Sequence, residues 1–197
     1  MKRAERVVTR REPKQERARQ TVDAVLEAVP LVVMRHGAKA VTTNRIAEIA
    51  GVSVGSLYQY FPDKHAIYAA LHDRHVDDVR RVIAKTTESC ASASLEDFAR
   101  ELVEGLVSVH GEVPELHDVV SSAVPESAIG FEHALHHTFE RALSPDRCGA
   151  DDARRMLFVL PRMVESLVHG TTRARLSRGA AKTEAVRAVQ LYVKSHD

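Results

Sequence analysis

The stretch from Val41 to Leu71, VTTNRIAEIAGVSVGSLYQYFPDKHAIYAAL, sets two short helical patterns on either side of one glycine and runs at once into a third. That is the layout of a helix-turn-helix corner. Thr42 or Thr43 can cap the first helix, because a side-chain hydroxyl accepts a bond from an otherwise orphaned amide of the first turn. Ile46, Ala47, Ile49 and Ala50 then form an apolar stripe at three-to-four spacing. Gly51 is expected to end the helix, since the residue after a helix commonly takes a positive φ, which glycine adopts without strain. Val52 should drop between the helices and Ser53 should cap the next one, Val54 to Tyr60. Leu57 and Phe61 face Ile46, Ile49 and Val52, leaving Tyr58, Gln59 and Tyr60 with polar tips for phosphates or bases.

Gly55 and Ser56 are poor choices for a purely structural helix, each giving up roughly 0.5 to 1 kcal/mol relative to alanine. Their small size suits a helix whose first turn must come close to base edges. An ordinary three-helix corner with no ligand shares the layout, so the spacing leaves both readings open and the particular residues must decide. TTNRIAEIAGVSVGSLYQYFPDK resembles the signature of the tetracycline-repressor (TetR) family of bacterial transcriptional regulators. A threonine-led helix, an alanine-glycine-valine turn and a tyrosine-phenylalanine-x-x-lysine close recur together there. The resemblance runs from near Gln20 to Leu71; beyond that it rests on length and helical layout.

The resemblance implies that Thr43 and Asn44 lie close to the DNA backbone at the start of the second helix. It places Val54, Gly55, Ser56 and Gln59 at base-facing positions, Tyr58 and Tyr60 at phosphates, and Lys64 as the phosphate-contacting lysine that opens the next helix. Two residues depart from the pattern: Ala38 stands where an aromatic is common, and Pro30 interrupts the first helix. Neither lies on the reading surface.

Charge agrees with this division. The chain carries a net charge of +1, yet residues 1–65 hold 12 Lys/Arg against 7 Asp/Glu, and the remaining 132 hold 16 against 20. Positive potential is thus concentrated where phosphates are expected. Residues 1–13 are expected to form a basic, disordered arm, 14–65 the helix-turn-helix domain, and 66–197 a ligand-binding and dimerisation domain. A flexible basic arm can add salt-dependent, sequence-independent affinity.

The apolar residues are mainly Ala, Val and Leu, tryptophan is absent, and aromatics make up 5%. An all-α fold is expected, with a long helix linking the DNA-binding domain to a C-terminal helical domain. The first helix should span Lys14 to His36, burying Val22, Val25, Leu26, Val29, Val32 and Val33, with a kink at Pro30. Pro62 and Asp63 should start the fourth helix, which runs to about Thr86 with Ile67, Leu71, Val79, Val82 and Ile83 as its stripe and His75 in the gap.

Ser94 with Asp97 resembles a capping box opening a helix that buries Leu95, Phe98, Leu102, Val103, Leu106 and Val107. Gly111 and Pro114 punctuate it. A short helix over Glu115–Ser121, another over Pro125–Leu143 with Ile129, Phe131, Leu135 and Phe139, and a loop over Ser144–Gly149 should follow. Asp151–Arg175 reads as a helix apolar nearly all round at Met156–Leu160, which should be buried from more than one side. Ala180–Lys194 closes the chain with Val186, Val189 and Val193 beside Ala185, Ala188 and Tyr192. The last two helices are expected to make a homodimer through a four-helix bundle, as the resemblance also implies.

Other chemistry finds little support. His133, His136 and His137 place at least two imidazoles on one face, but without a carboxylate or cysteine set at a recognised spacing, so no metal is expected. Neither a cofactor nor an enzymatic activity is expected, as the nucleophile elbow, the phosphate-binding glycine loop and the zinc-protease helix are missing. Cys90 and Cys148 are too few for a disulfide framework and fit a reducing cytoplasm. No run reaches the ~18 apolar residues of a membrane span, and the N-terminus lacks a signal-peptide core. An unknown small-molecule effector is expected between the C-terminal helices. Phe98, Leu102, Phe131, Phe139 and Met163 are candidate apolar walls, with His110, His133 and His169 as polar contacts.

The expected protein is a homodimeric regulator, and a repressor, that binds double-stranded operator DNA and is released by its effector. The alternatives are a ligand-independent DNA-binding architectural protein and a helical enzyme or carrier.

Overall fold

The computed structural model describes residues 16–89, 93–110, 116, 120, 128–143, 148–171 and 176–196. The basic arm, Cys90, Gly111, Pro114, most of the 115–121 segment and most of the 144–149 loop lie outside these residues, as does the Ile129 side chain. Eight α-helices and no strand are present among the described residues: α1 (Glu16–His36), α2 (Thr43–Ala50), α3 (Val54–Tyr60), α4 (Lys64–Ser89), α5 (Leu95–Val109), α6 (Ala128–Ala142), α7 (Ala150–Thr171) and α8 (Arg178–Lys194). None of these helices is long and apolar enough to cross a membrane.

The described chain forms two compact units. One ends at Arg74 and takes in Leu116 and Val120; the other starts at His75. Helix α4 therefore belongs to both. Val120 is buried in the first unit's core and Leu116 packs against it, although both lie far along the chain in the segment assigned by sequence to the C-terminal domain.

In the first unit α1 buries Val25, Leu26, Val29, Val32 and Val33 and continues as a helix through Pro30. Gly37 ends it at φ +78, its amide donating to the Val33 carbonyl at 2.8 Å. A 3₁₀ turn, Ala38–Ala40, leads into α2. Ala38 packs against the core, so a small residue fills the position where an aromatic is common. Ile46, Leu57, Phe61 and Ile67 are fully buried beneath α2 and α3. Each such side chain removed from water contributes about 1.5 to 3 kcal/mol. Helix α4 starts at Lys64, two residues later than the Pro62 start suggested by sequence. Asp63 lies outside it as a cap, its Oδ1 accepting from the Ala66 amide at 2.9 Å.

In the second unit α5 buries Leu95, Phe98, Leu102, Val103, Leu106 and Val107. These meet Leu135 and Phe139 of α6, Met156, Leu160, Val164 and Val168 of α7, and Val186, Val189 and Val193 of α8 in one core. Helix α8 begins at Arg178, two residues before the expected start, because Ser177 caps it by accepting from the Ala180 amide. Met156 and Leu160 are buried as expected, but Phe158 between them is 70% exposed. Within one chain, therefore, the apolar girdle of α7 is covered on one side only.

Candidate nucleic-acid interface

The corner is built by local chemistry. Thr42 is the α2 cap, its side chain accepting from the Arg45 amide at 3.3 Å, and Arg45 Nη1 donates to the Ala40 carbonyl at 2.8 Å, tying the entry loop to the helix. Gly51 sits in the left-handed region at φ 68, ψ 27, and its amide reaches the Ala47 and Glu48 carbonyls. Val52 then donates to Ala47 at 3.0 Å and leans on the core. Ser53 caps α3 by accepting from the Ser56 amide at 3.0 Å, and the two serine hydroxyls bond at 2.8 Å.

With Leu57 and Phe61 directed inward, Asn44, Gly55, Tyr58 and Gln59 are exposed, while Thr43, Val54, Ser56, Tyr60 and Lys64 are half-buried. Val54 and Tyr60 pack partly against the core, and Ser56 spends its hydroxyl on Ser53, so these three are more structural than their expected roles imply. A link not foreseen from the sequence joins the two helices: the Thr43 and Tyr58 hydroxyls share a hydrogen bond of 3.1 Å. It orients the Tyr58 ring over the start of α2. Fifteen residues separate the two, and no local spacing signals such a contact. Lys64 Nζ lies 5.8 Å from the Tyr68 ring centroid. Burial pushes the Tyr68 hydroxyl above its ordinary value, so that ring stays neutral beside the cation.

The candidate effector residues separate into groups. Phe98 and Phe139 meet edge to face at 5.9 Å and, with Leu102, are fully buried core. Met163 packs against that core. His110, Phe131 and His169 meet one another, with ring centroids 4.9 to 5.7 Å apart. His75, the histidine in the gap of the α4 stripe, joins them 4.7 Å from His110. His133 is exposed on α6 and takes no part. His136 and His137 each direct Nδ1 at the Glu140 carboxylate, at 3.4 and 3.3 Å. A carboxylate does therefore accompany these histidines, although among the described residues no group of three His, Cys, Asp or Glu side chains is placed to hold a metal ion.

At the start of α5, Ser94 Oγ accepts from the Asp97 amide at 3.0 Å and donates to Asp97 Oδ2 at 2.8 Å. The Asp97 carboxylate thus bonds the capping hydroxyl rather than the backbone amide of a full capping box. That hydroxyl, then Arg100, hold the Asp97 carboxyl below the usual carboxylate range.

An all-helical chain with a glycine-turned helix pair, an exposed polar face on its second helix and a separate helical unit defines a helix-turn-helix protein with an appended helical domain. Residues 32–71 match the model for bacterial regulatory proteins of the tetR family. Over that stretch the chain is similar to the tetR family. It is similar to nucleoid occlusion factor SlmA of Haemophilus ducreyi, 39% identical over 59 residues, covering 30% of this chain and 28% of that one. Against SlmA of Glaesserella parasuis it is 30% identical over 121 residues, 61% of this chain and 55% of that one. The matched stretch thus spans about half or less of these relatives' length. The crystal structure of the TetR-like regulator LfrR from Mycobacterium smegmatis, in complex with proflavine, superposes with a TM-score of 0.58 at 22% identity, over 91% of this chain and 97% of that one. At that identity the likeness speaks for a common fold.

Proposed function

We propose that this protein is a sequence-specific, DNA-binding transcriptional repressor that acts as a homodimer and leaves its operator when a small molecule binds the second unit. The observation that carries the reading is the division of the corner into two faces. Ile46, Leu57 and Phe61 are fully buried, while Asn44, Gly55, Tyr58 and Gln59 are exposed together on the part of the chain with excess positive charge. In this reading α3 enters the major groove, Gly55 and Gln59 meet base edges, and Tyr58, held by Thr43, meets phosphate with Lys64.

Exposed Phe158 on α7 and Leu191 on α8, at 70% and 57%, supply the apolar face for dimerisation. Two copies would then present α3 helices about one turn of DNA apart, ~34 Å, on a near-palindromic operator. Support for an effector comes from the meeting of His110, Phe131 and His169, and from LfrR, whose structure was solved with proflavine. Because α4 carries Lys64 at its start and His75 further along, an effector that prefers one placement of α4 shifts operator affinity by as much as it prefers that placement.

Replacing Tyr58 and Lys64 together with alanine tests the reading. Affinity should fall for every duplex and the salt dependence of binding should flatten, while changing Gln59 should alter which sequence is preferred. A ligand-independent architectural protein would bind random DNA as well as any selected site, and a helical enzyme or carrier would be indifferent to the double change.

A further inference from the structure

We propose that His133 and His137, on the outer face of α6, chelate a divalent transition-metal ion, Cu2+ most tightly, with Glu140 holding the His137 ring in the ligating orientation. The inference does not depend on the DNA-binding reading. Helix α6 packs inward through Leu135, Thr138, Phe139 and Ala142, all buried. At 3.6 residues per turn, His133, His136, His137 and Glu140 fall within about 100° of one another on the opposite side. His133, His137 and Glu140 are exposed and His136 is half-buried.

Two histidines four residues apart stand one above the other on a helix, with Cβ atoms about 5 to 6 Å apart. Imidazole nitrogens bound to one ion at about 2.0 to 2.1 Å come within about 3 Å of each other, a separation that two exposed rings reach by choice of rotamer alone. This is the spacing by which a helical histidine pair holds zinc. Of the 11 histidines in the chain, only His133 and His137 stand four apart. Solvation of the face asks for no histidine, since lysine, glutamate or glutamine would serve there and favour the helix more.

Glu140 supplies the second observation. His137 directs Nδ1 at one of its carboxylate oxygens, 3.3 Å away, and His136 directs Nδ1 at the other, 3.4 Å away. A carboxylate that accepts from Nδ1–H leaves the Nε2 lone pair open to a metal and fixes the ring's orientation, the arrangement usual behind a ligating histidine. The site is a chelate of two donors with water in the remaining positions, so it stands although no three-donor group occurs among the described residues. Arg141, the basic residue of the last turn, follows Glu140, whose charge offsets it. Imidazole donors bind Cu2+ ahead of Ni2+ and Zn2+, whereas Mg2+ and Ca2+ take oxygen ligands and are not expected here.

The test is calorimetric titration of the full chain with CuCl2 at pH 7.5 in a non-chelating buffer. His133→Gln and His137→Gln should each weaken the tightest site at least about tenfold, because the second imidazole of a chelate binds at a high effective concentration. Glu140→Gln should weaken it roughly tenfold while leaving both ligands in place. His36→Gln, which removes an exposed histidine of α1, should leave that site unchanged. Cu2+ should also broaden the ring resonances of His133 and His137 before those of any other histidine. Copper affinity indifferent to His133→Gln and His137→Gln, or broadening that begins at other histidines, overturns the proposal.

Discussion

Replacing Gly105 with alanine would test how closely α4 and α5 approach in the second unit. A Cβ at Gly105 would lie 2.6 Å from Val82 Cγ1, well inside contact distance, and 3.5 Å from Cγ2, an ordinary contact. Valine in a helix is confined largely to one χ1 well, so Val82 cannot swing away cheaply. Relief must come from an off-rotamer valine or a shift of α5, and overpacking of this kind costs about 1 to 3 kcal/mol. Against it stands the helix-propensity gain of glycine to alanine, about 1 kcal/mol. Gly105→Ala should therefore be neutral to about 2 kcal/mol destabilising.

In a Val82→Ala background the clash is gone and only the gain remains, so the same change should stabilise by about 1 kcal/mol. The coupling between the two sites, about 1 to 3 kcal/mol, is read from urea unfolding of the four proteins at one concentration, which holds any dimerisation term fixed. If Gly105→Ala stabilised both backgrounds equally, the close approach of Val82 to Gly105 would be refuted.

Other outcomes follow from single contacts. Gly51→Ala forces a Cβ into the left-handed region with nothing nearby to clash, so the cost is conformational, about 1 to 2 kcal/mol in the melting of the first unit; no loss would remove the strain argument. Ser94→Ala should cost about 1 kcal/mol of α5 stability. It should also raise the Asp97 titration midpoint, read by carboxyl NMR. Because folding lowers that midpoint, Asp97's contribution is present above its unfolded value near pH 4 and fades as the pH drops; an unmoved midpoint would contradict the role given to the Ser94 hydroxyl. Thr43→Val should weaken DNA binding severalfold by freeing Tyr58, and in a Tyr58→Phe background it should have little further effect, as titrations of a labelled duplex would reveal. Phe158→Asp with Leu191→Asp should shift sedimentation toward a monomer; an unchanged species would place the dimer face elsewhere.

What the sequence revealed follows how local each signal is. Gly51, Ser53, Leu57 and Phe61 could be read because a turn, a cap and a three-to-four stripe are decided within one or two turns of chain. Phe158 could not: periodicity marks an apolar position without saying whether the same chain or another covers it. Leu116 and Val120 belong with the first unit for reasons no neighbouring residue announces. His110, Phe131 and His169 were recognisable as candidates by type, but their meeting, and the entry of His75, depend on where α4, α5, α6 and α7 cross. His133, chosen for the same chemistry, faces outward. The Thr43–Tyr58 bond likewise exists only because the turn at Gly51 folds α3 back over α2.

The measurement that bears most directly on the central claim is selection of bound duplexes from a random pool by the full chain at near-physiological salt. The account predicts enrichment of a near-palindromic sequence whose half-sites lie about one helical turn apart, with the Gln59→Ala variant enriching a different half-site. Retention of the pool without enrichment, or no retained DNA at all, would contradict a sequence-reading role for α3.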